Sequence, residues 1–205
     1  MEFYLSIFIF AISSTVTPGP NNIMIMTSGL NYGVKKSIPH LLGICFGFPV
    51  MVIVIGFGFS LVFVRYPLFN EIIKIFGVVY LLYLAWLIAS SSPVSLEGRK
   101  SKPLSFTQAA LFQWVNPKAW VVATGAVSAY TSVSSDMYAQ VVFIALAFLI
   151  VAIPSLGTWL IFGVGIKKYL KSTKHQKIFN LAMALLLIVS VLPVLIKLVE
   201  QYITG

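Results

Sequence analysis

Acidic residues are scarce in this chain, with five Asp and Glu in 205 positions against fourteen Lys and Arg. Charged residues of both signs make up only 9% of it, where a soluble domain carries about 25%. Too few polar side chains are present to cover a globule in water, which excludes an ordinary soluble enzyme. The 59% of hydrophobic residues excludes a disordered chain. The single cysteine, Cys45, excludes an internal disulfide and a multi-thiolate metal site. No stretch alternates at period two, so a membrane β-barrel is not expected. The net charge of +9 is spread too thinly for a nucleic-acid face.

What is present is a series of long apolar runs. Six have the length of a spanning helix, about 20 residues: Phe3–Ser28, Ile38–Val64, Glu71–Ser91, Ser105–Tyr130, Tyr138–Gly163 and Ile178–Val199. The expected class is therefore an all-α integral membrane protein, one transporter-like domain over residues 1–205. Breakers such as Gly29-Leu30-Asn31-Tyr32-Gly33 and Tyr66-Pro67 mark short connections. The longest polar stretch, Ser92–Leu104, divides the chain into halves of about 1–91 and 105–205 and is too short to be a soluble domain. A signal peptide is the alternative for the first run. No basic residue precedes it and its apolar character continues past Pro20 to Met26, so a span is expected.

Basic residues set the orientation, because short basic loops stay in the cytoplasm. Lys35 and Lys36, then Arg99, Lys100 and Lys102, then Lys167, Lys168, Lys171, Lys174 and Lys177 follow runs one, three and five. These are ten of the fourteen basic residues, and they predict both termini outside the cytoplasm. Attraction to anionic lipid is a side effect of that distribution.

The two halves resemble each other. Pro20 corresponds to Pro117 at an offset of 97, Thr27 to Thr124 at the same offset, and Pro49 to Pro154. Lys74-Ile75-Phe76-Gly77 opens run three as Lys177-Ile178-Phe179-Asn180 opens run six. Three spans per half make the second half enter the membrane from the opposite side. This is a 3+3 inverted repeat, whose binding site is expected near the midplane between the halves.

Runs one and four are expected to be broken there. Thr17-Pro18-Gly19-Pro20-Asn21-Asn22 cannot continue a regular helix, since each proline lacks an amide donor and clashes with the preceding turn. Asn116-Pro117-Lys118 stands at the matching place, with Asn116 resembling a helix cap and Pro117 a first helical residue. Irregular backbone in hydrocarbon is tolerated only where it is buried in protein or lines a wet cavity. The half-helices that start at the hinge residues Pro18, Gly19, Pro20 and Pro117 point positive ends at the same region.

Lys118 adds a full charge, at a depth where a lysine costs about 2.5–3.5 kcal/mol. No carboxylate is placed to neutralise it: Glu2, Glu71, Asp136 and Glu200 lie at outer ends of runs and Glu97 in the polar loop. Two readings are open, namely that Lys118 braces the broken backbone or that it attracts a substrate carboxylate. Asn21, Asn22, Gln113 and Asn116 supply neutral donors and acceptors near the same level, either as ligands or as part of a ligand-free hinge. Carbonyls around Thr15–Thr17 and Gln113–Val115 suit an ammonium group. Donors for a carboxylate beside acceptors for an ammonium describe a small zwitterionic amino acid.

At these residues the chain resembles the LysE-type superfamily of amino-acid exporters and, within it, the homoserine/threonine exporter family. The resemblance rests on Pro18-Gly19-Pro20-Asn21, on Asn116-Pro117-Lys118, and on the glycine-to-tryptophan stretch from Gly77 through Tyr80 and Tyr83 to Trp86. The segment from Thr17 to Asn22 and the Gln113, Asn116, Lys118 spacing look most like the cysteine/O-acetylserine exporters. Pro117 departs from that subgroup and keeps the homoserine, threonine and leucine exporters in contention. The resemblance implies efflux of a small or neutral amino acid or derivative from a bacterial cytoplasm, across the inner membrane, driven by a proton or membrane gradient. It implies no cofactor and no enzymatic activity.

Other residues suit structural tasks. Gly43 and Gly47 form a small-xxx-small pair for close helix packing, and Gly56, Gly58, Gly163 and Gly165 are candidates for the same use. Pro49 and Pro154 are expected to kink their helices, and Cys45 to pack. His40 reads as an interfacial histidine or a proton relay, and His175 as a solvated loop residue. Trp86, Trp114, Trp120 and Trp159 suit interfacial anchoring, while Trp114 and Trp120 also flank the second break closely enough to line a cavity. A membrane enzyme needs a base at depth, and no His, Asp or Glu is placed there. A metal-ion exporter or channel of the same superfamily is the alternative function, although such pathways usually carry carboxylates or thiolates. The coupling proton and the oligomeric state stay open.

Overall fold

The computed structural model describes residues 2–59, 65, 67–90, 102–131, 137–166, 169 and 172–204. Every regular element among them is helical. In chain order these are α1 (Glu2–Val16), α2 (Pro20–Val54), α3 (Pro67–Ser90), α4 (Phe106–Phe112), α5 (Pro117–Tyr130), α6 (Met137–Ile166) and α7 (Thr173–Thr204). A π turn, Ile55–Phe59, extends α2, and a 3-10 turn, Gln113–Val115, follows α4. Much of the polar loop, with Pro93, Glu97, Gly98, Arg99 and Lys100, lies outside the described residues, as do Asp136, Lys167, Lys168 and Lys171.

α2 is two arms joined at Gly33, whose φ of 78° and ψ of 175° are open to glycine and strained for other residues. The chain doubles back there: Ser28 Oγ lies 2.7 Å from Ser37 Oγ, although nine residues of straight helix would separate them by about 13 Å. The connection is therefore shorter than the sequence pattern predicts. Residues 29–32 stay helical, and the second arm begins before Ile38. Gly29 is used for packing rather than for a break, since a β-carbon there would overlap the Leu160 backbone.

Two other helices also begin earlier than expected. α3 opens on Pro67, a residue suited to the first turn. α7 opens at Thr173, with the Ser172 hydroxyl accepting the His175 amide at 3.1 Å. His175 thus belongs to a first helical turn and not to a loop. At α4, Ser105 and Gln108 cap each other reciprocally, at 3.2 and 3.0 Å.

Packing centres on α2, which lies against α6 along both arms and against α4, while α1 packs on α6 and α3 on α7. One apolar cluster joins the first arm of α2 (Ile23, Met24, Leu30) to α3 (Leu81, Leu84), Phe112 and α7 (Met183, Leu187). A second joins α1 (Ile7, Ala11), the second arm (Phe48, Met51), α5 (Ala119, Ala123, Ala126) and α6 (Phe148). A third, containing the buried Cys45, fills the middle between α2, α4 and α6. Glycines set the closest approaches. Gly163 meets the Met26 backbone, Gly43 the Phe106 carbonyl, and Gly47 would place a β-carbon 2.6 Å from Ala110 Cα. Gly165 faces open space and plays no such part.

The outer surface is as apolar as the interior. Phe76, Trp86, Val121 and Ile161 expose 67%, 63%, 70% and 64% of their area, which suits a hydrocarbon solvent and not water. Two helices among the described residues, Pro20–Gly58 and Met137–Ile166, are long and apolar enough to cross a membrane. Tyr4–Val16, Val78–Ser90 and Lys177–Val189 are shorter apolar helices. The second arm of α2 alone is about 30 Å long at 1.5 Å per residue, which matches the thickness of a bilayer core.

Gly163→Ala is expected to destabilise the fold by about 1–3 kcal/mol through overpacking against Met26. Gly165→Ala is expected to be neutral or slightly stabilising. Thermal unfolding of the two variants in one detergent checks the contrast.

Candidate functional site

Two helix junctions meet, the first running from the exposed Val16, Thr17 and Pro18 to the buried Gly19 and Pro20. α1 stops at Val16 and α2 starts at Pro20, with Gly19 as the capping residue in an extended conformation. α4 and its 3-10 turn stop at Val115, and α5 starts at Pro117 with Asn116 as its cap, whose Oδ1 accepts the Lys118 amide at 3.1 Å. The two junctions are joined side chain to side chain. Asn21 Nδ2 donates to Gln113 Oε1 at 2.8 Å, and Gln113 Nε2 returns a bond to Asn21 Oδ1 at 3.2 Å. Lys118 reaches the other way, its Nζ donating to the Thr17 carbonyl at 2.6 Å and, more weakly, to the Pro18 carbonyl at 3.5 Å.

These contacts answer a local need. The last carbonyls of a helix have no intrahelical partner, and at the end of α1 they are followed by two prolines that cannot donate. Asn22 Nδ2 takes the Thr15 carbonyl at 2.7 Å, and Lys118 takes Thr17 and Pro18. The bracing reading of Lys118 therefore holds geometrically, and an ammonium has a third donor beyond these two bonds. Gly19 makes the approach possible, since a β-carbon there would lie 2.7 Å from Lys118 Cδ. Its φ of −173° is open to any residue, so the requirement for glycine at this position is space and not conformation.

A cavity of about 490 Å³, open at its mouth, lies at the junction. Asn21, Asn22, Asn116 and Lys118 line it, together with Ser14 and Thr15 of α1. Ile44 and Phe48 of α2, Ala119 and Val122 of α5, and Ala152 and Leu156 of α6 supply apolar wall. Gln113 sits behind Asn21, fully buried, and its amide nitrogen also donates to the Ala109 carbonyl at 2.9 Å. Pro18, Gly19, Pro20 and Pro117 form the two junctions themselves. Trp114 and Trp120 stay off the described cavity wall. Trp120 Nε1 bonds the Trp114 carbonyl at 2.8 Å and the rings meet edge to face at 5.9 Å, which stiffens the second junction.

The chemistry of the wall is divided. Gly19 has no side chain with which to cap the first amides of α2, so those at Asn21 and Asn22 keep the anion-binding character of a helix start. Asn116 uses its oxygen on the cap and has donors left. Ser14 and Thr15 donate to the Phe10 and Ala11 carbonyls, at 2.6 and 2.8 Å, and so offer lone pairs to the cavity. Ser14 and Thr15 are the polar wall residues that the sequence pattern does not single out as side chains. Their signal is the run of hydroxyl residues, Ser13 to Thr15, immediately ahead of the break.

Residues 12–197 match the family described as LysE type translocator. The chain belongs to that family. It is similar to the cysteine/O-acetylserine efflux protein of Escherichia coli O139:H28 (strain E24377A / ETEC), 29% identical over 87% of this chain and 90% of the relative. The proteins of the same name from Escherichia coli strain K12 and Shigella flexneri serotype 5b (strain 8401) are each 28% identical over the same shares. No solved structure matches the chain. Membership makes this LysE type translocator a membrane transport protein, in line with its apolar exterior.

Gly19→Val is expected to push Lys118 away from the Thr17 carbonyl. A bond to a charged group is worth about 1.5–3 kcal/mol, so acylation of Lys118 should rise about tenfold or more. Mass spectrometry after timed labelling of the purified protein reads this directly.

Proposed function

We propose that this LysE type translocator exports a small, neutral amino acid or amino-acid derivative from the bacterial cytoplasm, of the cysteine/O-acetylserine or homoserine/threonine/leucine kind. The observation that carries the reading is the cavity at the two junctions, whose lining includes both donors (Asn116, Lys118) and hydroxyl acceptors (Ser14, Thr15). In this reading the substrate carboxylate sits between the third proton of Lys118, the amides that begin α2 and the Asn116 side chain. The substrate ammonium meets the hydroxyl oxygens of Ser14 and Thr15. Asn21 and Asn22 orient the carboxylate, and Gln113 acts by fixing Asn21. Ile44, Phe48, Val122 and Leu156 accommodate a short side chain. The relatives' names, which specify cysteine and O-acetylserine, favour that side-chain size.

The transport cycle is proposed to be alternating access in a six-span, 3+3 inverted repeat broken near the midplane at residues 17–19 and 113–116. The like construction of the two junctions supports this, since each has a proline opening the following helix. The proposal sets the protein in the bacterial inner membrane with both termini outside the cytoplasm, and the distribution of basic residues supports this. A coupling proton is compatible with the cycle. A metal cation as cargo would meet the Lys118 ammonium in place of a carboxylate, so the amino-acid reading fits these side chains better.

The test is uptake of labelled amino acids into inverted membrane vesicles, with and without a proton gradient. Lys118→Ala is expected to abolish uptake while leaving the amount of inserted protein unchanged. Normal uptake by that variant would remove the carboxylate-binding role.

A further inference from the structure

A second cavity, of about 560 Å³ of empty space, lies further along the same two arms of α2. The first arm contributes Met24, Thr27, Ser28 and Asn31, and the second contributes His40. Thr27 is about 8 Å along the helix from Asn22 of the first cavity. Leu84 and Ile88 of α3 close one side, and Lys102, an exposed residue just ahead of α4, stands at the rim. No part of the proposed central site accounts for this space.

Its polar groups are buried and unpaired. His40 is 3% exposed, and neither ring nitrogen has a partner. Either tautomer of a neutral imidazole carries one donor and one acceptor, and leaving both unsatisfied in an apolar interior costs several kcal/mol. Thr27 is 7% exposed, and its Oγ1 is also unpaired. Four other threonines behave differently. Thr15, Thr124, Thr131 and Thr158 each donate to the carbonyl four residues back, at 2.7–2.8 Å, the ordinary habit of a helical threonine. Thr27 does not, although it lies on the equivalent of Thr124 in the repeat. Its own carbonyl accepts from Asn31 Nδ2 at 3.0 Å, and Asn31 keeps its Oδ1 as an acceptor.

His40, read from the sequence as interfacial or as a proton relay, is a buried group on a cavity wall. A few convergent polar groups among apolar side chains describe a small-molecule site. The charge balance narrows the ligand: among the described residues the wall carries no Asp or Glu, and Lys102 is a cation at its rim.

We infer that this second cavity is a binding site for a small α-amino acid, which donates to and accepts from His40 and Thr27 and turns its carboxylate toward Lys102. The amino-acid identity of the ligand rests on the export reading above, whereas the site itself rests on the unpaired His40 and Thr27. Both cavities are lined by the same two arms of α2, and their walls lie about 8 Å apart along the first arm. On the orientation proposed above, Lys102 marks the cytoplasmic side, so this is the loading site and the junction cavity is the site of translocation.

The chain has two histidines, which makes the test direct. Full-length protein carrying His175→Asn, labelled with nitrogen-15 histidine and held in lipid nanodiscs, reports His40 alone. O-acetyl-L-serine, L-threonine and L-leucine are titrated in turn, with vesicle uptake of the same compounds measured in parallel. A saturable shift of the His40 imidazole resonances is expected with at least one of them, and it is expected to persist in Lys118→Ala, where the junction site is disabled. Thr27→Val should weaken that binding about fivefold, and Lys102→Gln should weaken binding of the acid but not of its methyl ester. Two outcomes overturn the second site: no shift at concentrations that support uptake, which means that water alone fills the cavity, or a shift that disappears in Lys118→Ala. Uptake without a shift removes this site and leaves the export reading standing. A shift without uptake of any compound keeps the site and removes the export reading. Absence of both removes both.

Discussion

Between Val16 and Pro20 the backbone leaves carbonyls with no helical partner in a protein whose exterior is largely apolar. Everything at the junction follows from how they are satisfied. Water and a regular helix are the two ordinary solutions, and the prolines forbid the second. The chain instead brings a lysine and an asparagine to the gap, from the start of α5 and the start of α2. A lysine used in this way keeps donor capacity beyond its structural bonds, because the ammonium has three protons and the carbonyls take two. The bracing bonds leave one ammonium proton unused, and it is this proton that the proposed carboxylate site would use.

The bracing contact constrains the surroundings. Gly19 must stay without a β-carbon so that the lysine can lie across it. Asn21 must be held by Gln113, since a side-chain amide with free rotation presents donor and acceptor indifferently. The edge-to-face tryptophan pair stiffens the second junction at the point where a 3-10 turn replaces α-helix. Around this polar centre the closest helix contacts run through glycine and alanine, which bring backbones together without burying further polar groups. An apolar exterior then lets lipid serve as the solvent, and membership in the LysE type translocators gives the arrangement its setting.

His40 and Thr27 are buried side chains without a partner, unlike Asn21 and Gln113 at the junctions. The contrast between Thr124, which bonds its own helix, and Thr27, which does not, is the difference between a residue serving the fold and one left open. The second cavity lies between α2, α3 and residues 102–104, whereas the lysine at the junction stands in the first turn of α5.

The amino-acid sequence determined the class of the protein and the location of its irregularities. Proline and glycine act on the backbone within a few residues of themselves, so the interruptions at 17–19 and at Asn116, the cap at Asn116 and the helical start at Pro117 are legible without any knowledge of neighbours. Helix ends were less legible. Gly29 looks like punctuation and is a packing surface, because a glycine signals the absence of a side chain and not the reason for it. The pairing of Asn21 with Gln113, 92 residues away, and of Lys118 with Thr17, 101 residues away, was decided only when the helices packed. So was the placement of His40, read as interfacial and found buried. Apolar helix faces carry similar side chains throughout this chain, and only their simultaneous fit selects which polar residue meets which.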